Sequence, residues 1–466
     1  MRILFRLTLI VLPAFGVRIN AARLISSFHL DLDDCDDVAA DSRALYFACH
    51  SSHAPGAAPA NPPNMDAWVA KLDRRSGKLL FLTQLGGEGV DIAVRIKLDS
   101  DGYAYVTGFT GSRNFPITTN ALQRAYGGGD SDAFLTKVDP DGRIVYSTYL
   151  GGSQADQADA IALSSNGDVW VGGRTWSSDF PHVRKKFGVM GKSDAFLARL
   201  HPGDPTVHAS MIIGGGNDEK LTGLAVSGNA IFATGYTASA DFPVVRPLQA
   251  ERKGSTDAFL LAVEDRFEGL TFSTYLGGSG DDSGWGVALD HEGNPLVAGI
   301  TESEDLPVTP NAPQKHRAGM ADAFLMKLDQ SGQKLLFATY YGGTGLDHSG
   351  YDGTNVIVSR AGTIWMAGLT DSRDLAVPAG DHPRYGGGEQ DGFLAAFSPS
   401  GKLCYGTYAG GTARYLLEGV TFADNETAVY AVGTVIRPIS KDSPKPDPKE
   451  KYGMFVIGLR AGKDCP

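Results

Sequence analysis

Along this chain, apolar and polar residues alternate in short runs, each stopped by a turn rich in Gly, Asp, Asn or Ser. In DAFLTKV, from Asp132, Ala, Leu and Lys lie on one face and Phe, Thr and Val on the other. That is the period of a strand packed between neighbouring sheets, because successive side chains point to opposite faces. The turn DPDG follows, then VYSTYLGG. A second hairpin, IALSSNGDVWVGG from Ile161, has the same form, with Asn-Gly supplying the positive φ of a tight turn. The pattern therefore predicts units of four strands. Strand A is the IAL-type run, B the VWVGG-type run, C the DAFLTKV run and D the VYSTYLGG run.

The unit recurs. Strand C begins at Asp66, Asp132, Asp194, Asp257, Asp322 and Asp391, and a degraded copy, YGMFVIGL, starts at Tyr452. The A–B hairpin recurs from Val38, Ile96, Ile161, Leu224, Val287, Val356 and Val420, which again makes seven. A period of roughly sixty-five residues, with four strands in each, predicts an all-β, seven-bladed β-propeller. LISSFHL, from Leu24 to Leu30, matches a strand D with no unit before it, and YGMFVIGL is a strand C with no strand D after it. The N-terminal strand is therefore expected to complete the C-terminal blade, closing the ring and removing both open edges. A single domain over 23–466 follows.

The sequence STYLGGS, then IALSSNGDVWVGG, TWSSDFP and SDAFLARL, resembles the bacterial seven-bladed beta-propeller repeat (SBBP) family. TGSRNFP from Thr110 and TASADFP from Thr237 repeat the T-x-S-x-x-F-P piece, with TESEDLP from Thr301 close and TDSRDLAVP from Thr370 looser. The resemblance implies this fold and an exported or cell-surface protein. It supplies no catalytic residue.

Composition narrows the function classes. The 59 glycines and 20% charged residues suit short strands and turns, and 42% hydrophobic residues are ample for a core. A net charge of -11 without a basic patch excludes a nucleic-acid partner. The Lys-rich stretch from Lys441 alternates with Asp, Glu and Pro and reads as a solvated loop. Residues 1–22 pair Arg2 and Arg6 with an apolar run too short to span a bilayer, so a cleaved signal peptide and an extracytoplasmic monomer are expected. Cys35 and Cys49 flank a hairpin across which they can pair, while Cys404 and Cys465 lie late in the chain.

Chemistry must be sought against the repeat, since a residue present in every blade at one register is first of all what a blade needs. Five positions on from the first glycine of each pair stands Asp91, Asp156, Glu219, Asp282 or Asp347, and the first unit has Asp33, Asp34, Asp36 and Asp37. Two readings stand: a ring of carboxylates near the axis holding Ca²⁺ or a cationic ligand, or acids that each cap their own loop. Departures between copies are Lys220, Trp285 with Asp282, an insertion in unit six (Asp347, His348, Tyr351, Asp352), and Arg414 with Tyr415 in unit seven. They predict a mixed pocket at the channel mouth, on the face of the D–A and B–C loops, for a protein, peptide or glycan. His348 is expected in a surface loop, solvated rather than catalytic. Phosphate-loop, HExxH and G-x-S-x-G signatures are missing. A non-enzymatic binding or scaffold propeller is the first reading; a carbohydrate-active enzyme using axial carboxylates is the alternative.

Overall fold

A computed structural model describes residues 24–54, 56, 64–204, 208–350, 353–423, 426–436 and 452–460. The expected signal segment, Tyr351, Asp352, Cys465 and the Lys-rich loop before Tyr452 lie outside them. Seven antiparallel sheets form the blades. Blades 1 to 6 span 34–85, 91–150, 156–213, 219–276, 282–341 and 347–409. Blade 7 spans 414–460 and takes its fourth strand from the N-terminus. Strand A of each blade touches strand A of the next, from blade 1 round to blade 7 and back to blade 1, so these strands surround the axis.

Closure is as the ends of the sequence predict. Leu24–Leu30 pairs antiparallel with Gly453–Arg460, His29 facing Phe455 and Leu30 facing Met454. The contact between blades repeats through a glycine and a ring. In the C–D turn of blade 2, Gly142 adopts φ +89°, and a Cβ there would fall 2.7 Å from the Phe81 ring of blade 1. Gly332 sits in the same way on Phe272, and Gly401 on Phe337. Gly77 of blade 1 sits on Phe28, so the N-terminal strand occupies the strand-D place of blade 7. Phe28 and Leu30 join Leu45, Phe47, Val432 and Val456 in one core cluster shared by blades 7 and 1.

Three details depart from the expected blade. Strands A begin five residues earlier than their apolar run, as in Asp91–Leu98, because the acid after the glycine pair already pairs with the end of strand B. Blade 3 carries a fifth strand, Val183–Phe187, inside its B–C link, parallel to the outer strand Ala209–Ile213. Its exposed Arg184, Lys185 and Lys186 keep that edge from pairing further. In blade 6 the insertion divides strand A into Asp347–Ser349 and Val356–Val358. Cys35 and Cys49 face each other across the first hairpin and are joined by a disulfide.

Phe28→Ala is expected to cost about 3 kcal/mol in urea unfolding, as for a large ring removed from a core. Leu336→Ala, at an exposed strand-D position, should cost under about 0.5 kcal/mol. Equal effects of the two changes would refute closure through the N-terminal strand.

Candidate functional site

The repeated acids come first, because their surroundings decide what remains for function. Asp91 is fully buried at the start of strand A in blade 2. Its Oδ2 accepts the Gly87 N–H at 2.8 Å and the Ser112 hydroxyl at 2.7 Å, and its Oδ1 accepts the Thr110 hydroxyl. Asp347 repeats this with Gly343 N–H at 2.7 Å, Ser372 at 2.7 Å and Thr370. Asp156 and Asp282 take Gly152 with Ser177 and Gly278 with Ser303, and Glu219 takes Gly215 with Thr237. The Thr and Ser of T-x-S-x-x-F-P are thus the donors to the acid of their own blade. The aromatic of that motif is anchored as well: Phe115 N–H donates to the Tyr149 hydroxyl, which donates to Ser112 O at 2.7 Å. These are the hydrogen bonds of loop capping. Both oxygens are engaged in Asp91, Glu219 and Asp347, while Asp156 Oδ1 and Asp282 Oδ1 have no hydrogen-bond partner among the described residues.

Each such acid also lies near the Asp that opens strand C of the preceding blade. A Cβ on Gly151 would come within 2.6 Å of Asp132 Oδ1 and 2.8 Å of Asp156 Oδ2, so the first glycine of the pair fits between two carboxyl groups. Burial pushes Asp132 up to about 7, with the Asp156 charge adding to it, against hydrogen bonds from Gly127 and Gly128. Burial likewise raises Asp156, Asp282 and Asp347 to about 6, although hydrogen bonds to each pull the other way.

The departures are scattered rather than gathered at the mouth. Arg414 Nε donates to Gln390 Oε1 at 2.7 Å, and Tyr415 turns into the core of blade 7, edge-on to Phe455 at 5.2 Å. Lys220 forms an ion pair with Asp159 at 2.8 Å. His348 is not a surface-loop residue: it is 1% exposed on strand A, and its pKa is lowered to about 4 by burial, with Arg414 adding to the effect. The described part of the insertion that follows it runs into the channel. There Thr354 N–H donates to Asp37 Oδ1 of blade 1 at 3.1 Å, and Val420 N–H of blade 7 donates to Thr354 O at 2.7 Å.

The axis itself was not legible. Six strands A break register at the same place, leaving Asp36, Val94, Asp159, Thr222, Trp285 and Glu418 as bulge residues, a different one in each blade. Bulges re-aim side chains, and here they alter the channel wall one blade at a time. From blade 2, Arg95 Nη2 reaches across to Thr222 O of blade 4 at 3.0 Å, and Lys97 Nζ reaches Thr354 Oγ1 of blade 6 at 2.7 Å. What is left open is a cavity of about 300 Å³ lined by Arg95, Lys97, Trp285, Asn355 and apolar side chains. Of the expected pocket residues that the structure describes, Trp285 alone lines it. The available signal was RIKL, where the repeat elsewhere has an uncharged IAL-type run.

A second cluster lies on blade 1. His50 Nδ1 is 3.6 Å from Asp36 Oδ2 and its Nε2 is 4.0 Å from Asp34 Oδ2, and one donor atom from each of the three residues falls within 4.8 Å of the others. Among the described residues this is the His and Asp group able to hold a metal ion. His53 stands beside it, 3.6 Å from Asp31 and 3.7 Å from Asp33.

An acid whose folded pKa lies above its unfolded value stabilises the fold in its protonated form. That contribution is complete near pH 4 and is lost as pH rises through about 7. Asp132 Oδ1 has no hydrogen-bond donor among the described residues, so the amide of Asn can replace it there. Asp132→Asn should therefore raise stability by on the order of 2 kcal/mol at pH 8 and change little at pH 4, read by urea unfolding at the two values. Equal destabilisation at both would overturn the assignment.

A model of the SBBP family, described as "Beta-propeller repeat", matches residues 145–181. That segment runs from strand D of blade 2 through the capped acid to the end of the T-x-S-x-x-F-P motif. The "Regulatory protein FlaEY" of Caulobacter vibrioides is 26% identical over 322 residues, which are 65% of this chain and 32% of that protein. The chain thus matches about a third of that relative's length. Among solved structures, the Pan2 WD40 domain of Neurospora crassa superposes with a TM-score of 0.41 at 9% identity, covering 93% of this chain and 90% of that one. A protein of unknown function from Dyadobacter fermentans gives 0.40 at 9% identity, covering 95% and 100%. The chain is a seven-bladed β-propeller that carries the SBBP repeat.

Proposed function

We propose that this propeller is an extracytoplasmic, non-enzymatic scaffold that holds a protein or peptide partner on the face built by its D–A and B–C loops. One observation carries the reading: that face combines exposed apolar side chains with arginines laid on aromatic rings. Val90, Val189 and Met320 are 53%, 61% and 67% exposed there. Gly111 N–H donates to Val90 O, and Met320 N–H donates to Gly345 O, so the two kinds of loop form one surface. Arg113 lies over Tyr126 at 6.0 Å, Arg174 over Trp176 at 4.5 Å and Arg373 over Tyr385 at 5.8 Å. Arginine, methionine and aromatic rings are the residue types enriched where proteins meet.

Several facts support the rest of the reading. The Cys35–Cys49 disulfide suits an oxidising compartment, as does the expected signal peptide. Among the described residues no helix is long and apolar enough to cross a membrane. A relative described as a regulatory protein suits a role in binding rather than turnover. The repeated acids after the glycine pairs, which the enzyme alternative would draw on, are held by Thr, Ser and glycine N–H donors, which favours the scaffold over that alternative.

The triple variant Val90→Asp, Val189→Asp, Met320→Asp is expected to lose at least tenfold in affinity for any partner crosslinked to the purified protein, with its melting temperature unchanged. The outer-edge variant Leu80→Asp, Leu336→Asp should keep full affinity. Binding lost in the second variant and kept in the first would place the partner elsewhere, and saturable binding to a neutral glycan alone would overturn the protein partner.

A further inference from the structure

The axial cavity lies apart from the loop face, and its chemistry differs from that of the protein around it. The chain carries a net charge of -11, yet among the described residues that line the cavity the charged ones are Arg95 and Lys97, with no carboxylate. Asp37 is the nearby acid that offsets Lys97. Its oxygens already accept four donors: the N–H groups of Val38, Ile96 and Thr354, and the Thr354 hydroxyl.

Two buried polar atoms on the lining have no partner among the described residues. Arg95 is 4% exposed and its Nη1 donates to nothing, although Nη2 is fixed on Thr222 O. Asn355 is fully buried. Its Nδ2 donates to Gly350 O at 2.8 Å, and its Oδ1 accepts nothing. Leaving such groups unpaired is costly, and most of all for a guanidinium. Gly286 makes room for this amide, since a Cβ there would fall 2.0 Å from Asn355 Oδ1. Apart from Thr222 and Thr354, the remaining wall is apolar and partly aromatic, with Leu224, Val287, Val356 and Phe422 and the Trp285 indole. Lys97, Leu289, Val358 and Phe422 are half-buried where strands A end, so the cavity faces the A–B turns, opposite the loop face.

We propose that this cavity binds a small organic carboxylate with a flat apolar body. The carboxylate accepts from Arg95 Nη1 and faces the Lys97 ammonium, while the body lies among Trp285, Phe422 and Leu224. A hydrogen-bond donor on that body satisfies Asn355 Oδ1. Charge-assisted bonds of this kind are about twice as strong as neutral ones, and about 300 Å³ is at the small end of the range for ligand sites. A carboxylate also relieves a local conflict, because burial and the Arg95 charge both disfavour the ammonium form of Lys97.

The probes are benzoate and 4-hydroxybenzoate, with benzamide as the neutral isostere and sulfate as the bare anion, each titrated calorimetrically into the full chain. Saturable binding of both aromatic carboxylates is expected, the hydroxylated one tighter, with benzamide at least tenfold weaker. Lys97→Met and Arg95→Gln should each weaken benzoate by about tenfold. Should Arg95→Gln fail to fold for want of its bond to Thr222, Lys97→Met and Trp285→Ala decide, and both must weaken binding. No saturation by benzoate at about 10 mM, benzamide or sulfate binding as tightly as benzoate, or full affinity in Lys97→Met and Trp285→Ala would each overturn the proposal. Loss of the loop-face partner would leave it standing.

Discussion

Five of the seven blades are anchored by a buried carboxyl group at the first residue of strand A. Its side chain ties three stretches that are far apart in sequence: the glycine pair that ends the preceding unit, and the end of strand B and the opening of the B–C loop in its own. Asp91 accepts from Gly87, Thr110 and Ser112, a reach of about twenty residues closed by hydrogen bonds of 2.8 Å or shorter. A short polar chain buried with every donor matched fixes geometry, since any displacement leaves an unpaired group. The glycines follow from the same constraint. Gly151 must lack a Cβ because Asp132 and Asp156 close on it, and Gly152 because Ser177 and Asp179 do. The cost is charge: two acids lie near each other in a dry junction, so both titrate well above their usual range.

This economy explains why so much of the fold was legible. Strand C and strand D alternate with a period of two, their turns need Asp-Gly or Ser-Gly, and each copy repeats both signals, so the count of seven and the missing strand at each end could be read directly. The glycine pair and T-x-S-x-x-F-P were equally visible as text. What they do to each other was not, because the acid and its donors sit some twenty residues apart and meet only when strands A and B pair. The early start of strand A escaped for the same reason. In Asp91–Leu98 the polar first turn and the bulge at Val94 break the alternation that marks a strand.

The site was less legible than the frame, and the reason is geometric. Sequence comparison between copies flags what differs, and it did flag Trp285, Lys220, His348 and Arg414. It cannot tell whether a differing residue faces the axis, the next blade or solvent. Tyr415 lies against Phe455 and His348 is buried in blade 6, while Trp285 sits on a bulge in the channel wall. Beyond the charges in RIKL, nothing in the sequence marks Arg95 and Lys97, because their partners, Thr222 and Thr354, belong to blades that do not adjoin their own.

Those cross-axis contacts link closure to chemistry. Lys97 of blade 2 is held by Thr354 of blade 6, which is held by Asp37 of blade 1, next to the seam sealed by Leu24–Leu30. Arg95 finds its acceptor on blade 4. The set is drawn from blades 1, 2, 4 and 6, and its members meet only across the axis of the closed ring. A solenoid of the same seven units would keep every capped acid and every glycine on its ring, because those contacts are made within a blade or with the next one. It would lose the axial cations' partners, and with them the cavity. The repeat therefore supplies contacts within a blade and between neighbours, whereas the charged axial cavity is a property of seven copies closed on themselves.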